Sequence, residues 1–518
     1  MTEGREVSPK FGAPTPGGID TAPPWYRKLL WQIVTVTVVA ILTAAMVLWR
    51  PWSTVRVTDG SDLFADSLRE VQGLIFDENE RVISSGRPWV SIAVMLPIRT
   101  TDDARNTPED ARRHLQGAYL AQYWSNHPNG DDKFGDNAPL IRILIADTGR
   151  EGNEWRDTVT QLGKMAKPEN DERLVAVTGL GLSTDTTQQA VNALANEGVA
   201  MVGSVITATE LDAPGLFRVA PTNSDEAAAL MNHLKTTPAW KSASATTPYK
   251  AYLVQDRAGD DTYVQDLGRQ YRQVFPNDDA HTLLKAQGDY DSQKEGAGNA
   301  IDAQIDTICS IQPAPPRVIF FAGRSDGLRT FLRALSARHC SDTPITVVTG
   351  DGANNLNAPV AEPLWVDGVK VDIFYTALAS PATWQNNPAA VSRDTVRRFG
   401  QCANCFATLF SEPFDEGDAI MSHDAVLTAV TATRNVASQQ NPRPGADAIP
   451  NGLYQINATN PVPGASGWIY FQREDGIPDG VPYNKAVPIV QLHSNGTASQ
   501  EAMSSRSGEP PTGPEPPR

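Results

Sequence analysis

Cysteine is scarce, with four in 518 residues, and bases are outnumbered, 44 Lys and Arg against 60 Asp and Glu. The formal charge of −16 and a pI near 4.9 exclude the basic surface that a phosphate backbone attracts, so nucleic acid is not an expected partner. Several catalytic signatures are missing as well. No GxSxG elbow and no HExxH occurs, and the turn "GLGLSTDTTQ" has no lysine of the kind a GxxxxGK[ST] loop needs. Gly179 and Gly181 meet only part of GxGxxG, because Thr184 takes the third glycine position. Ser422, His423 and Asp424 stand side by side, but consecutive helical residues point about 100° apart, which does not suit a triad. "CANC" has no second CxxC or paired histidines to complete a zinc site. The expectation is a protein with no catalytic centre, no metal and no cofactor.

Membrane-length apolar runs are lacking with one exception. Leu29–Trp49, "LLWQIVTVTVVAILTAAMVLW", is free of charge and matches the roughly 20 residues that cross a bilayer as a helix. Trp25, Tyr26, Trp49 and Trp52 flank it as interfacial aromatics. Arg5, Lys10, Arg27 and Lys28 precede it, against Arg50 and Arg56 after it. That bias puts the N-terminus in the cytoplasm and the large domain outside, with lipid a partner through the span. Both ends are Pro- and Gly-rich and poor in apolar residues, the composition of disorder. The chain therefore divides into a disordered cytoplasmic tail (1–28), a single transmembrane helix (29–49), a juxtamembrane connector (50–87), one long folded region (88–496) and a disordered tail (497–518). An added amphipathic helix around Leu63–Leu74 is expected in the connector.

An extracytoplasmic domain is an oxidising setting for the cysteines. Cys309 follows a helical pattern and precedes the strand "RVIFF", and Cys340 ends the next helical pattern, so the two can meet near one end of that strand. Closing their loop would stabilise by roughly 3–4 kcal/mol in the chain-entropy model. Cys402 and Cys405 are expected to pair locally.

From Trp89 onward, short apolar strands alternate with amphipathic helical stretches. "WVSIAVML", "LIRILIA", "LVAVTG" and "VAMVGS" are followed by "KAYLVQ", "RVIFFAG", "ITVVTG" and "VDGVKVDIFY". Nearly all-apolar strands separated by single helices indicate parallel sheets covered on both faces. The run is too long for one sheet of ordinary size, which predicts two successive α/β lobes.

The ordered set "VAVTGLGLST", "ANEGVAMVGSVITATEL", "GLFRVAPTNSDEAAAL", "KAYLVQDRAGDDTYVQDLG", "RVIFFAGRSDGLRTFLRAL" and "ITVVTGDGANN" resembles the type I periplasmic solute-binding fold. Specifically, it resembles the branched-chain amino-acid receptor family of ABC transporters. "SHDAVLTAV" and "GWIYFQREDG…KAVPIVQLH" resemble that family's late helix and C-terminal hairpin. The resemblance implies an α/β fold of two Rossmann-like lobes, the first about 88–217 and 376–467, the second about 218–375 and 468–496. Three hinge strands would join them around an interlobe cleft. It implies a small polar solute, an amino acid first, and a receiving partner that is an ABC permease or a signalling membrane protein. A ligand-free interaction protein on the same fold is the alternative.

The site residues follow from the same turns. At "GLGLSTDTTQ", Asp185 with Gln188 fits a capping-box variant, and Ser183 and Thr184 stand before the first free N–H groups of a helix. Those hydroxyls either cap the helix or hold a carboxylate there; the family resemblance favours the ligand. Thr207, with Ser204 beside it, matches the family's ligand-binding threonine, although Val205 and Ile206 replace small residues. Tyr263 matches a tyrosine that closes over the ligand, and Asp351 an acid after a strand that would pair with an ammonium group. Tyr375 is a further contact or a hinge residue, and Arg99, if turned inward, would favour an extra carboxylate on the ligand.

Overall fold

The computed structural model describes residues 56–101, 105–130, 138–285, 287–356, 363–366, 368–509 and 512–513. The tail 1–28 and the apolar span 29–49 lie outside them. Among the described residues no helix is long and apolar enough to cross a membrane.

The first sheet comprises β1 (Val57–Thr58), β2 (Trp89–Leu96), β3 (Leu140–Asp147), β4 (Leu174–Gly179), β5 (Ala200–Gly203) and β6 (Leu216–Arg218), in the order β1-β3-β2-β4-β5-β6. Its strands run parallel except β1, which is antiparallel to β3. Helices α1 (Arg69–Ser84), α2 (Pro108–Asn126), α3 (Trp155–Met165) and α4 (Asp185–Asn196) accompany it. Side chains alternate between its faces as strand geometry requires. Ile92, Val94, Ile143 and Ile145 pack towards α2, while Ala93, Met95, Leu144 and Ala146 pack towards α3 and α4. Each fully buried aliphatic side chain contributes roughly 1.5–3 kcal/mol.

The second lobe opens with α5 (Asn223–Thr236), then β7 (Tyr249–Asp256), α6 (Thr262–Val274), β8 (His281–Leu283), β9 (Gly288–Tyr290), α7 (Ala297–Ser310), β10 (Val318–Ala322), α8 (Ser325–Ser336), β11 (Ile345–Thr349) and β12 (Val371–Thr376). The chain then returns to the first lobe for α9 (Asp418–Val436) and the small ribbon β13 (Val462–Pro463) and β14 (Trp468–Ile469). It crosses back for β15 (Val487–Leu492) and β16 (Ala498–Ser504), which complete the order β16-β15-β12-β11-β10-β7-β8. Strands β7, β10, β11 and β12 are parallel, and β15 and β16 are antiparallel additions at the edge. Cys309 is disulfide-bonded to Cys340 across 5.6 Å between Cα atoms, and Cys402 to Cys405 across 5.1 Å.

Three expected boundaries are corrected. The described part of the expected connector (50–87), from Arg56 onward, is part of the first lobe: β1 pairs with β3, and α1 packs Val71 and Ile75 into that lobe's core. The edge of β3 explains why, since its unpaired backbone groups need partners. Asn79 accepts from the Ile143 N–H (2.9 Å) and donates to its carbonyl (2.8 Å). Asn126 does the same for Ile141, at 2.9 and 3.0 Å. Trp468 to Phe471 belong to the first lobe rather than the second, because Ile469 and Phe471 are buried in its core. The tail expected to be disordered from 497 onward begins with β16, an edge strand whose polar residues "ASQEAMS" pair through the backbone with β15.

Candidate functional site

Both lobes present the carboxyl ends of their strands to one another. The turn after β4 needs left-handed backbone at Gly179 (φ 88°), Leu180 (φ 74°) and Gly181 (φ 76°). A Cβ on Gly179 would stand 2.8 Å from the Met95 carbonyl, so glycine is required there. Beyond it, the Ser183 hydroxyl accepts from the N–H groups of Thr207 and Ala208, both at 3.1 Å. Thr184 caps α4 by accepting from the Thr187 N–H at 3.2 Å. The cap expected at Asp185 is therefore displaced by one residue to Thr184, and the capping box expected at Asp185 and Gln188 does not form. Asp185 is the first helical residue, and its carboxylate accepts from the Thr262 hydroxyl of the other lobe at 3.0 Å.

The expected hydroxyl site is filled by the protein itself. Tyr263 donates its N–H to the Ser183 carbonyl at 3.1 Å, Asp185 donates its own to the Asp260 carbonyl at 3.0 Å, and Asn223 donates to the Thr207 carbonyl at 2.6 Å. The Ser204 hydroxyl donates to the Gly179 carbonyl at 3.3 Å. Tyr263, 1% exposed, accepts from the Gly352 N–H at 2.8 Å and lies under the Arg324 guanidinium. Burial, then the nearby Asp351 and Glu226 carboxyls, hold its hydroxyl well above the usual range. Ser183, Ser204, Thr207 and Tyr263 thus make contacts within and between the lobes, and none of them lines the cavity next to them.

That cavity, of about 230 Å³, is lined by both lobes and partly open. Of the expected residues it is lined by Asp351 alone, with Arg105, Asp110 and His114 from the first lobe, Arg324 from the second, and Asp418 from the returning chain. Thr184 lines a smaller neighbouring cavity of about 90 Å³ with Arg105 and Asp260. Tyr375 is buried in the second lobe and borders a separate cavity of about 250 Å³ with Ala379 and Gln500. Arg99 does not turn inward. It pairs with Asp147 and, at 3.0 Å, with Glu154, because a fully buried carboxylate such as Asp147 needs a cation beside it.

The cavity wall is assembled by close helix packing. A Cβ on Gly117 would lie 1.9 Å from the Ala419 carbonyl, so glycine is what lets α2 and α9 touch. Asp110 and His114, four residues apart on α2, thereby meet Asp418 at the start of α9, with His114 Nε2 3.9 Å from Asp418 Oδ1. Across the gap, Asp351 begins the turn after β11, and its N–H donates to Glu226 at 3.1 Å. Burial pushes the Asp351 carboxyl up to about 6, against the pull of Arg324. Burial and the neighbouring Asp110 and Glu416 hold Asp418 well above the usual carboxylate range. His114 is pushed down to about 4 by burial and stays neutral. Arg324 is held by two hydrogen bonds to Asp261, at 2.8 and 2.9 Å, and Arg105 pairs with Asp260 at 2.8 Å.

Arg105, Asp110, His114, Arg324 and Asp418 were not legible as site residues. A signal for two of them exists, since Asp110 and His114 share a helix face in "PEDARRHLQG". Arg324 occupies a strand-end turn, but Asp418 gives no such hint. The "SHD" triplet differs from expectation in one respect. His423 Nδ1 and Asp424 Oδ1 are 2.9 Å apart. Both are fully buried, and Asp424 is taken up by Ala465 and Ser466, so the pair fixes the loop before β14.

No protein-family model matches the sequence, and no curated protein matches it. Solved structures do. The isoleucine complex of the branched-chain amino acid transporter substrate-binding protein LivJ from Streptococcus pneumoniae aligns over 80% of this chain and 99% of its own, with a TM-score of 0.53 and 15% identity. An ABC-transporter solute-binding protein from Rhodopseudomonas palustris, in complex with 3,4-dihydroxybenzoic acid, covers 82% of this chain and 98% of its own (TM-score 0.53, 11% identity). A fatty acid ABC transporter substrate-binding protein from Thermomonospora curvata covers 82% and 96% (TM-score 0.55, 12% identity). With two largely parallel sheets, chain crossings between the lobes and a cavity at their strand ends, the chain has the type I periplasmic binding-protein fold.

Proposed function

We propose that this chain is a non-catalytic, extracytoplasmic solute-binding protein, anchored by Leu29–Trp49, that closes its two lobes on a small polar solute. The observation that carries the reading is the cavity of about 230 Å³ whose wall is shared by both lobes and rich in charge. A solute that touches both lobes only when they are closed stabilises that state, which is population shift. The size suits a solute smaller than the drug-sized ligands of pockets from about 300 Å³ upward. An amino acid is one candidate, as in the isoleucine complex of the Streptococcus neighbour. An ABC permease or a signalling membrane protein would receive the loaded form.

A second reading has its own support. The hydroxyl turn at Ser183 and Thr207 is hydrogen-bonded internally, as suits an interaction protein that has ceased to bind solute there. Native mass spectrometry and melting curves of the full-length protein in detergent separate the two. A co-purified small mass, or a solute that raises the melting temperature, supports binding; a broad panel of amino acids, amines and organic acids that leaves the curve unmoved favours the interaction protein.

A further inference from the structure

The two disulfides do not carry the same structural burden. Cys309 and Cys340 are 31 residues apart in the chain, whereas Cys402 and Cys405 are three apart. A bridge constrains the unfolded chain more the longer the loop it closes, so the short one adds the less to folding. Its loop is also held without it. The Asn404 side chain donates to the Tyr123 hydroxyl at 2.7 Å, and the Trp124 indole donates to the Asn404 carbonyl at 3.2 Å, both from α2. The Cys405 N–H donates to the Cys402 carbonyl at 3.0 Å, and the Phe406 N–H to the Arg398 carbonyl at 2.9 Å. Phe406 itself is fully buried against the rings of Phe399, Phe410 and Phe414.

We propose that Cys402–Cys405 is a reversible thiol–disulfide exchange site, with Cys402 the sulfur that is attacked and a dithiol the reacting partner. Exposure sets the direction. Cys402 is exposed and Cys405 is 0% exposed, and exchange requires that the attacking thiolate reach a sulfur. The reduced form has a place in the same loop. The Arg397 carbonyl lies 3.4 Å from the Cys405 Sγ and 4.0 Å from the Cys402 Sγ, so a thiol at either position has an acceptor for its weak S–H donor. Cys309 and Cys340 are both half-buried, and neither offers the open sulfur that Cys402 does.

The chemistry balances with the dithiol alone. Its thiolate attacks the Cys402 Sγ, a bond forms between the two sulfurs, and the Cys402–Cys405 bond breaks with its electron pair leaving on the Cys405 Sγ. Cys405 takes up a proton and donates it towards the Arg397 carbonyl. The partner's second thiol, deprotonated, then attacks its own sulfur in the mixed disulfide, and Cys402 leaves as a thiolate. Two electrons have passed from the dithiol, now a disulfide, to this chain, and the same steps in reverse with an oxidised partner restore the bridge. Asn404 and Phe406 keep the loop in place in both states, so the exchange proceeds in the folded protein. Neither cysteine lines the interlobe cavity, and the site stands apart from the solute-binding reading.

The test treats the oxidised full-length protein in detergent at pH 7.5 with dithiothreitol or with reduced thioredoxin, quenches with iodoacetamide over time, and reads each cysteine by mass spectrometry after digestion. Cys402 and Cys405 should be alkylated about tenfold or more faster than Cys309 and Cys340. Protein reduced at the short bridge alone should keep its cooperative melt, within about 2 °C of the oxidised form. Reduction by either reagent supports the site, dithiothreitol alone pointing to a small dithiol and thioredoxin to one borne by a protein. The direction of attack is read with single variants. Cys405→Ser, which leaves Cys402 as a free thiol, should form a mixed disulfide with oxidised glutathione about tenfold or more faster than Cys402→Ser, which leaves the buried Cys405. Where either variant fails to melt cooperatively, briefly reduced wild type treated with N-ethylmaleimide gives the same reading, Cys402 being labelled first. Equal reduction rates at the two bridges, reduction of Cys402 and Cys405 only in denaturant, loss of the melt on their reduction, or faster capture of Cys405 would each overturn the proposal, and each would leave the solute-binding reading untouched.

Discussion

Two regions that face the interlobe space solve the same problem in opposite ways. At the turn after β4, every polar group finds a partner inside the protein: Ser183 serves two N–H groups, Thr184 caps α4, and the carbonyls of Ser183 and Thr207 accept from the second lobe. Beside it, the wall around Asp110, His114, Asp351 and Asp418 collects acidic groups, and the Asp351 Oδ1 and His114 Nδ1 have no hydrogen-bond partner. Neutral hydroxyls and amides can satisfy one another at short range, so such a turn closes on itself. Carboxyls repel one another once buried, and their surplus has to be met by protons.

The comparison can be broken by mutation. The largest effect is expected from Gly117→Ala, which puts a methyl group 1.9 Å from the Ala419 carbonyl and must part α2 from α9. Overpacking of this kind costs about 1–3 kcal/mol, and the upper end is expected because the clash is with backbone; urea denaturation measures it. Ser183→Ala should follow, at about 2 kcal/mol, because it strands the N–H groups of Thr207 and Ala208 in a buried setting. Thr184→Ala removes a cap and should cost about 1 kcal/mol, read from the same urea curves. Losses below a few tenths of a kcal/mol in both hydroxyl variants would show that the turn is not closed on itself in solution.

The acid wall should respond with the opposite sign. Removing charge from a crowded, buried acid relieves repulsion, so Asp418→Asn should raise the melting temperature of the solute-free protein at pH 7.5 by about 1–2 °C, a change below 1 kcal/mol in a domain this large. That gain should shrink as pH falls and the raised wild-type carboxyl takes up its proton.

The smallest effect is the pH dependence itself. A carboxyl whose folded value is raised above its unfolded one binds more protons in the folded state, so stability falls as pH rises through that window. Asp351 at about 6 and Glu416 at about 7, with Asp418 and Glu226 also raised by burial, carry the fall from the ordinary carboxylate range up to about pH 7, so its upper part lies above pH 6.5. His114, His233 and His423 are held down and act in the opposite sense only below pH 6.5, while Lys485 at about 8 acts above the window. Scanning calorimetry of the solute-free protein should find a lower melting temperature at pH 8 than at pH 6.5. A rising or flat profile there would mean that the wall is neutralised by groups outside the described residues.

Much of the fold was legible because strands and helices announce themselves locally. "LVAVTG" and "WVSIAVML" are strands over the same residues that their apolar runs suggest. What escaped had another physical basis. Helix α1 buries Glu78, Asn79 and Gln72 beside its apolar residues, and β16 is held by backbone pairing at an edge; neither depends on a hydrophobic pattern. In the site, Asp351 was readable as an acid after a strand, whereas Ser183 and Thr207 looked the same whether they faced a ligand or each other.

The amino-acid order by itself therefore determined the alternation of strand and helix, the two-lobed α/β class and the apolar N-terminal segment, because each rests on residues close in sequence. Only the tertiary structure decided which polar groups face the cavity. Asp110, Asp351 and Asp418 are more than 60 residues apart in the chain, and they become one wall through the contact of α2 with α9 at Gly117 and the approach of the second lobe. Whether a hydroxyl is spent on its own backbone or left for a ligand depends on what the rest of the chain brings within about 3 Å of it, and no local pattern records that.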